Sequence, residues 1–150
     1  MRVVLQRVSQ ASVTVDSVII SKIENGFLIL LGIEDADGPK DIEWLVGKIS
    51  KMRVFEDQDG KMNESLIDHR GNALVVSQFT LHASTQKGNR PSFIKAARPE
   101  QADPLYQEFC SALSQEIGKT VAQGEFGADM KVELINEGPV TITMDSKKRE

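Results

Sequence analysis

The period of the hydrophobic residues changes along this chain, and that change restricts the available folds more than any other feature of the sequence. In the N-terminal third, Val3 and Leu5, and later Val13 and Val15, alternate with polar neighbours, which is the pattern of half-buried strands. Residues 27–33 are apolar without alternation, which is typical of a strand covered on both faces. The first third of the chain therefore predicts a sheet with one strand in its interior.

Two later segments change to the helical period. In the first, apolar residues share one helix face at Ile42, Leu45, Val46 and Ile49, and Asp37 or Gly38 can cap this helix before Pro39. The second is predicted to start near Asp103 and Pro104 and to end at Gly118. Strands, helix, strands, helix and strands in this order predict an α+β, or mixed α/β, fold rather than a Rossmann sheet. A length of 150 residues suits about one domain, so residues 1–150 are assigned to a single domain.

Four further segments complete this interpretation. Residues 74–81, LVVSQFTL, predict a strand. Residues 57–60, DQDG, and residues 136–139, NEGP, predict turns, the second of them between two strands. The last five residues, SKKRE, predict a solvated tail.

Composition excludes several functional classes. The net charge of −4 excludes a strongly cationic nucleic-acid coat protein but permits a local basic site. The sequence shows neither a signal-peptide pattern nor an apolar run near the roughly 20 residues of a membrane span, so we expect a soluble cytoplasmic protein. We find no metal-binding or cofactor motif and predict neither a metal nor a cofactor. The single cysteine, Cys110, is interpreted as a buried packing residue.

The segment from Leu81 to Pro99 stands out by its charge. It contains no acidic residue, and it carries four cations on an otherwise acidic chain: Lys87, Arg90, Lys95 and Arg98. One interpretation is a solvated loop. The other is a patch that contacts phosphates.

Two polar motifs allow a structural or a functional interpretation. In a strand over SQFTL, Ser77 and Phe79 would face one way and Gln78 and Thr80 the other, either as edge residues or as a hydroxyl and an amide presented to a ligand. No base is identifiable to activate either hydroxyl. Gly138-Pro139 is either part of a turn or a place where the backbone approaches a ligand closely.

Six motifs in order resemble the D-aminoacyl-tRNA deacylase family, also known as the D-tyrosyl-tRNA deacylases. They are MRVVLQRV at the start, RVFEDQDGKMN at 53–63, VSQFTL at 76–81, KGNRPSF at 87–93, GEFGADMKV at 124–132 and NEGPVTI at 136–142. The resemblance implies a homodimer of mostly antiparallel sheets with two main helices. It implies hydrolysis of the ester between a D-amino acid, or glycine, and the 3′-terminal adenosine of tRNA. The implied partner is the acceptor end of aminoacyl-tRNA, and neither DNA nor a membrane is expected.

The resemblance also implies roles for particular residues. Ser77, Gln78, Phe79 and Thr80 line the catalytic pocket, and Gly138-Pro139, joined by a cis bond, reaches in from the other subunit and rejects L-amino acids. Phe126 and Met130 contact the terminal adenosine, and Arg7 lies near the pocket. From their charge we add Lys87 and Arg90 as tRNA contacts.

The mechanism remains open between two forms. Thr80 is a candidate nucleophile, and the alternative is that the 2′-hydroxyl of the tRNA helps to activate water while backbone N–H groups near Phe79 and Thr80 polarise the ester. Two residues depart from the family pattern: His82 stands where Tyr is usual, with an expected effect on the pocket rim or on RNA contacts, and Glu137 replaces Asp. Two other classes compete, namely a non-catalytic RNA-binding dimer and a small-molecule binding or structural dimer.

Overall fold

The computed structural model describes residues 1–150 and contains eight strands and two long helices. The strands are β1 (Arg2–Val15), β2 (Val18–Ile23), β3 (Gly26–Gly32), β4 (Phe55–Glu56), β5 (Met62–Glu64), β6 (Asn72–Ser77), β7 (Ala122–Gln123) and β8 (Lys131–Asp145). The helices are α1 (Pro39–Lys51) and α2 (Pro99–Ile117). A short 3₁₀ turn, Phe79–His82, follows β6.

The main sheet has the strand order β2-β1-β3-β6-β7, and β8 pairs with the other edge of β1. All pairings of β1 are antiparallel, as expected, whereas β3 with β6 and β6 with β7 are parallel. The strands at the two ends of this order, β2 and β7, lie close together. The Ser21 hydroxyl of β2 donates a hydrogen bond to the Gln123 carbonyl of β7. The sheet is therefore curled, with one face turned inward and the other toward the helices.

The prediction that the apolar run 27–33 is covered on both faces is confirmed. Phe27, Ile29 and Leu31 pack with α1 and α2 in the larger core. Leu28 faces the opposite way, into a smaller core with residues of β1, β2 and β6. A strand with two buried faces has no place for polar alternation, which explains its composition.

The helices match the predicted segments, with one correction at a boundary. Gly38 is the N-cap of α1, and Asp41 accepts a hydrogen bond from the Gly38 N–H at 3.0 Å. Helix α2 begins at Pro99, not near Asp103, and Pro104 lies inside it. Both prolines fit an early helix position, and the chain uses the earlier one. Neither helix has the length and apolar character needed to cross a membrane.

The predicted strand over residues 74–81 ends early. β6 stops at Ser77, and residues 79–82 turn into the 3₁₀ segment. The prediction that Gln78 and Thr80 share one strand face is therefore wrong, because these residues are no longer in a strand.

The predicted turn at residues 136–139 is a bulge within one continuous strand. Gln6 of β1 pairs with Thr141 and Val8 pairs with Asn136, so residues 137–140 lie outside the ladder opposite Arg7. The Asn136 side-chain oxygen accepts a hydrogen bond from the Val140 N–H at 2.8 Å, which closes the bulge. The strand thus continues in the same direction on both sides of Gly138.

The expected solvated tail is wrong at its first residue, Ser146. Ser146 is buried, accepts a hydrogen bond from the Met1 amine at 2.9 Å and donates one to Asp41 at 2.6 Å. Lys147 forms an ion pair with Asp41 at 2.9 Å. These polar groups attach the end of the chain to α1, and sequence periodicity carries no signal for them.

The Asp41 cluster predicts acid sensitivity. Burial opposes ionisation of Asp41, but hydrogen bonds from Ser146, Lys147 and the Gly38 N–H outweigh it and lower the pKa from 3.8 to about 2. A lowered pKa in the folded state stabilises the protein above pH 4, and this contribution is lost as the pH falls from 4 to 2. We expect Asp41→Asn to lose about 2 kcal/mol of unfolding free energy at pH 7 and to flatten its decline below pH 4.

Urea unfolding followed by circular dichroism between pH 2 and pH 7 measures both effects. The exposed Asp35→Asn serves as the control and should behave like the unmodified chain. An unchanged acid profile in Asp41→Asn would contradict this assignment of stability to the cluster.

Candidate active site

A cavity of about 850 Å³ opens at the carboxyl ends of the parallel strands β3 and β6. Its lining is mainly apolar and includes five of the predicted site residues: Ser77, Gln78, Phe79, Phe126 and Met130. Such strand ends are common ligand sites because the chain leaves the sheet there and exposes backbone groups.

The end of β6 forms the polar side of this cavity. The Gln78 N–H donates to the Leu31 carbonyl at 2.8 Å, which extends the β3–β6 pairing by one bond. The chain then turns into the 3₁₀ segment, within which the first two N–H groups, those of Phe79 and Thr80, have no acceptor. Two backbone donors at the start of this turn therefore need partners from outside it.

Thr80 is held by its neighbour rather than by a base. The Gln78 amide donates a hydrogen bond to the Thr80 hydroxyl at 2.5 Å. Thr80 itself does not line the cavity. A donor to the threonine oxygen makes that oxygen a weaker nucleophile, because it draws on the lone pairs needed for attack.

The opposite wall comes from the segment before β8 and from α2. The Phe126 ring lies 5.9 Å from the ring of Tyr106, whose hydroxyl donates to the Val75 carbonyl at 2.8 Å. Burial raises the pKa of Tyr106 far above its ordinary value, so this hydroxyl remains a protonated donor. Phe126 and the thioether of Met130 make this wall apolar, which suits contact with the flat face of a nucleobase.

The long loop contributes Phe93 and Ile94, which had no predicted role, and Arg98, one of the four cations of the predicted phosphate-contacting patch. Phe93, Ile94 and Arg98 line the cavity, and the Phe93 ring packs edge-on against Phe79 at 5.1 Å. Ile94 is 89% exposed. The acid-free charge pattern indicated this loop, but it did not distinguish the residues at the cavity from those at its tip.

Lys87 and Arg90 lie at that exposed tip and do not line the cavity. The loop is closed at its base by paired backbone hydrogen bonds between Ser84 and Ser92. Lys87 and Arg90 therefore project from a loop whose ends are held together by hydrogen bonds beside the cavity.

Gly138, Pro139 and Arg7 form a second group, separate from the cavity of the same chain. The Gly138–Pro139 bond is cis, as the resemblance implies. Buried Arg7 lies under the bulge, where it donates to the Glu137 carbonyl at 2.9 Å and to the Val54 carbonyl at 2.6 Å. A Cβ on Gly138 would lie 2.9 Å from Arg7 Nη2, so the guanidinium packs directly against the glycine.

Neither imidazole nor thiol is placed for nucleophilic catalysis. Cys110 is fully buried as expected, and burial raises its pKa to about 12. His82 is buried with its Nδ1 3.8 Å from Glu34, so the expectation that it contacts RNA is wrong, while its effect on the pocket rim stays a prediction. His69 stacks on Phe55 outside the cavity. No group of three or more His, Cys, Asp or Glu residues is arranged to hold a metal ion.

Comparison with known proteins identifies the family of this chain. Residues 4–145 match the family described as D-Tyr-tRNA(Tyr) deacylase. Proteins named D-aminoacyl-tRNA deacylase from Bacteroides fragilis (strain YCH46) and Flavobacterium psychrophilum are 60% and 62% identical, each over the full length of both chains.

Two solved structures share the fold. One, named "c-Myc DNA Unwinding Element Binding Protein", has a TM-score of 0.92 and 44% identity, covering 97% of this chain and 98% of its own. The other, described as a probable eukaryotic D-amino acid tRNA deacylase, has a TM-score of 0.83 and 20% identity, covering 95% and 97%. The chain therefore belongs to the D-Tyr-tRNA(Tyr) deacylase family and is a hydrolase.

Proposed function

We propose that this chain hydrolyses the ester of D-aminoacyl-tRNA, and of glycyl-tRNA, to free amino acid and tRNA in the cytoplasm, with residues 1–150 acting as one domain. The observation that carries the proposal is the apolar cavity whose polar end is formed by Ser77, Gln78 and Phe79 at the start of the 3₁₀ turn. Family membership and the names of the full-length relatives support the ester and the tRNA as its substrate.

The proposed chemistry needs no protein nucleophile. Water attacks the ester carbonyl, and the Phe79 and Thr80 N–H groups stabilise the negative charge that develops on the carbonyl oxygen. The terminal 2′-hydroxyl of the tRNA helps to activate the water. The acyl–oxygen bond then breaks, leaving the amino-acid carboxylate and the 3′-hydroxyl of the tRNA. The absence of an imidazole or a thiolate from the cavity favours this mechanism over an acyl-enzyme.

We assign the terminal adenosine to the wall of Phe126 and Met130, with Ser77 beside the amino acid. Both wall residues and Ser77 line the same cavity. Lys87 and Arg90 at the loop tip then contact backbone phosphates nearby. Their exposure and the absence of acidic residues in the loop support this role.

For chiral selection we propose a homodimer in which Gly138-Pro139 of one subunit closes the cavity of the other. The bulge is exposed and lies outside its own cavity, so a second chain is required to bring the two together. β8 pairs only with β1, which leaves its other edge free for an interface. Gly138 has no Cβ, so main-chain atoms can stand where an L-amino acid would place its side chain.

A different nucleic-acid partner is suggested by the name of one similar structure, which refers to a DNA element. We retain the prediction that DNA is not a partner, because the cavity is a largely apolar site that suits a single-stranded acceptor end.

The first prediction concerns substrate choice. D-tyrosyl-tRNA and glycyl-tRNA should lose their ester, while L-tyrosyl-tRNA is cleaved roughly a thousandfold more slowly, which corresponds to a clash of about 4 kcal/mol. Acid-precipitable label on tRNA measures all three. Equal loss of both enantiomers would refute chiral selection, and no loss of any ester would favour a non-catalytic binding protein.

The second prediction concerns Thr80. Because its hydroxyl accepts from Gln78 and lies outside the cavity, Thr80→Ala should reduce kcat by about 10²-fold or less. The exposed Thr120→Ala is a matched control with no expected effect. Trapping of an acyl group on Thr80 in rapid-quench experiments would show that the threonine is a nucleophile after all.

The third prediction concerns the proposed wall. Gly138→Ala places a Cβ 2.9 Å from both Arg7 Nη2 and Val140 Cγ2, so the bulge must shift. We expect the ratio of L- to D-tyrosyl-tRNA cleavage to rise about tenfold, since roughly 1.4 kcal/mol of the clash is lost. Gly118→Ala also replaces a glycine of positive φ, but at the C-cap of α2, and should leave the ratio unchanged.

Sedimentation velocity at micromolar concentration accompanies these assays and should show a dimer for all variants. A fully selective monomer would contradict the proposed sharing of the cavity between subunits.

A further inference from the structure

The outward face of α1 carries a second basic surface that the proposed reaction does not use. A groove of about 850 Å³ runs along this face and is lined by Lys40, Lys48, Lys51 and Arg149, with Glu43 as its only acidic residue. Lys48 and Lys51 follow Lys40 by about two and about three helical turns, so the three lysines share one side of the helix. On a chain of net charge −4 this is a marked local excess of cations.

Two of these cations have no partner within the protein. Lys51 pairs with Glu116 at 2.8 Å, and the Arg149 guanidinium lies over the Trp44 ring at 4.8 Å. Lys40 and Lys48 are exposed and make no ion pair. Their charges are therefore available to an external anion.

Gly47 lies between these lysines in the interior of α1. A Cβ at this position would meet nothing within 4 Å, so packing inside the protein does not require a glycine. Glycine weakens a helix interior relative to alanine, because it loses more backbone freedom on folding. The bare backbone leaves room for another molecule to approach the helix closely between the two positive charges.

This surface is joined to the candidate active site. A neighbouring groove of about 530 Å³ shares Lys48 and Trp44 and extends to Arg2 and Leu81. Leu81 belongs to the same 3₁₀ turn as Phe79, which lines the cavity. Arg2 donates to the Leu81 carbonyl at 3.0 Å and holds that turn against the groove. The α1 groove thus extends through this second groove, whose lining also includes Asp145 and Glu150, to the turn that borders the cavity.

We propose that the α1 groove binds the phosphate backbone of the double-stranded acceptor stem while the 3′ end of the same tRNA occupies the cavity. This rests on the proposed function, which supplies the substrate. A-form RNA is recognised mainly through its shape and its phosphate and 2′-hydroxyl groups, which suits unpaired lysines flanking a bare stretch of helix. The groove adds affinity for the body of the tRNA and leaves the chemistry of the ester unchanged.

Binding of uncharged tRNA, measured by fluorescence anisotropy across a salt series, tests the groove without catalysis. Each phosphate contact on a duplex contributes about 0.9 to the slope of log affinity against log salt, so Lys40→Gln with Lys48→Gln should reduce that slope by about 1.8. Lys22→Gln with Lys61→Gln removes the same charge from sites elsewhere and should leave the slope unchanged. Equal slopes in the two double variants would overturn the proposal.

A second variant tests the shape of the groove without changing its charge. Gly47→Gln fills the bare position with a good helix former, so its melting temperature should not fall, whereas tRNA affinity should fall about tenfold. Gly47→Gln with unchanged affinity would show that no ligand approaches this part of α1.

Substrate length identifies what occupies the groove. The lysine variants should raise KM for D-tyrosyl-tRNA and leave KM for a D-tyrosyl ester of adenosine unchanged. An equal rise for both would place the lysines at the ester and overturn the assignment to the stem. If the unmodified protein binds tRNA through Lys40 and Lys48 but cleaves no ester, the proposed function is wrong and the groove proposal stands. If it cleaves the ester but these lysines do not contribute to tRNA binding, the proposed function stands and the groove proposal is wrong.

Discussion

The burial of β3 on both faces is the constraint on which the rest of this structure depends. One face needs the two helices, and the other needs the curled part of the sheet formed with β1, β2 and β6. Since both layers must cover a single short strand, the chain has to leave the sheet at the end of β3 and of its parallel partner β6. That exit leaves the space between the layers open at one end, and the candidate active site occupies it.

Much of the architecture could be predicted because it depends on local patterns. The unbroken apolar run identified β3, and the helical stripe with Pro39 identified α1. The predictions were wrong where contacts between residues far apart in sequence determine the structure. Ser146 is polar and close to the end of the chain, yet its contacts with Met1 and Asp41 bury it. The bulge at 137–140 looked like a turn because glycine and proline favour both, and only pairing with β1 distinguishes them.

Most residues of the site could be predicted from the sequence, but their arrangement in space could not. Family motifs identified Ser77, Gln78, Phe79, Phe126 and Met130, which the fold gathers around one cavity. The motif at 87–93 and the charge of the loop pointed to this segment, but they did not place Phe93 and Arg98 at the cavity, because the loop before α2 has no periodicity from which to infer its path. Nor could they show that Arg7 supports the bulge by donating to the backbone of Glu137 and Val54, since such contacts depend on tertiary position.

The bulge in β8 also marks a place where the length of the chain can change. The half-buried apolar residues of β8 fall at even positions on both sides of it: Val132 and Leu134 pack on the smaller core, and Ile142 and Met144 on the larger. Each pair is held in register by its own partners on β1, Ala11 and Val13 for the first and Val3 and Leu5 for the second. Because residues 137–140 lie outside this ladder, a change in their number alters how far Gly138 projects and leaves both pairs on their own cores.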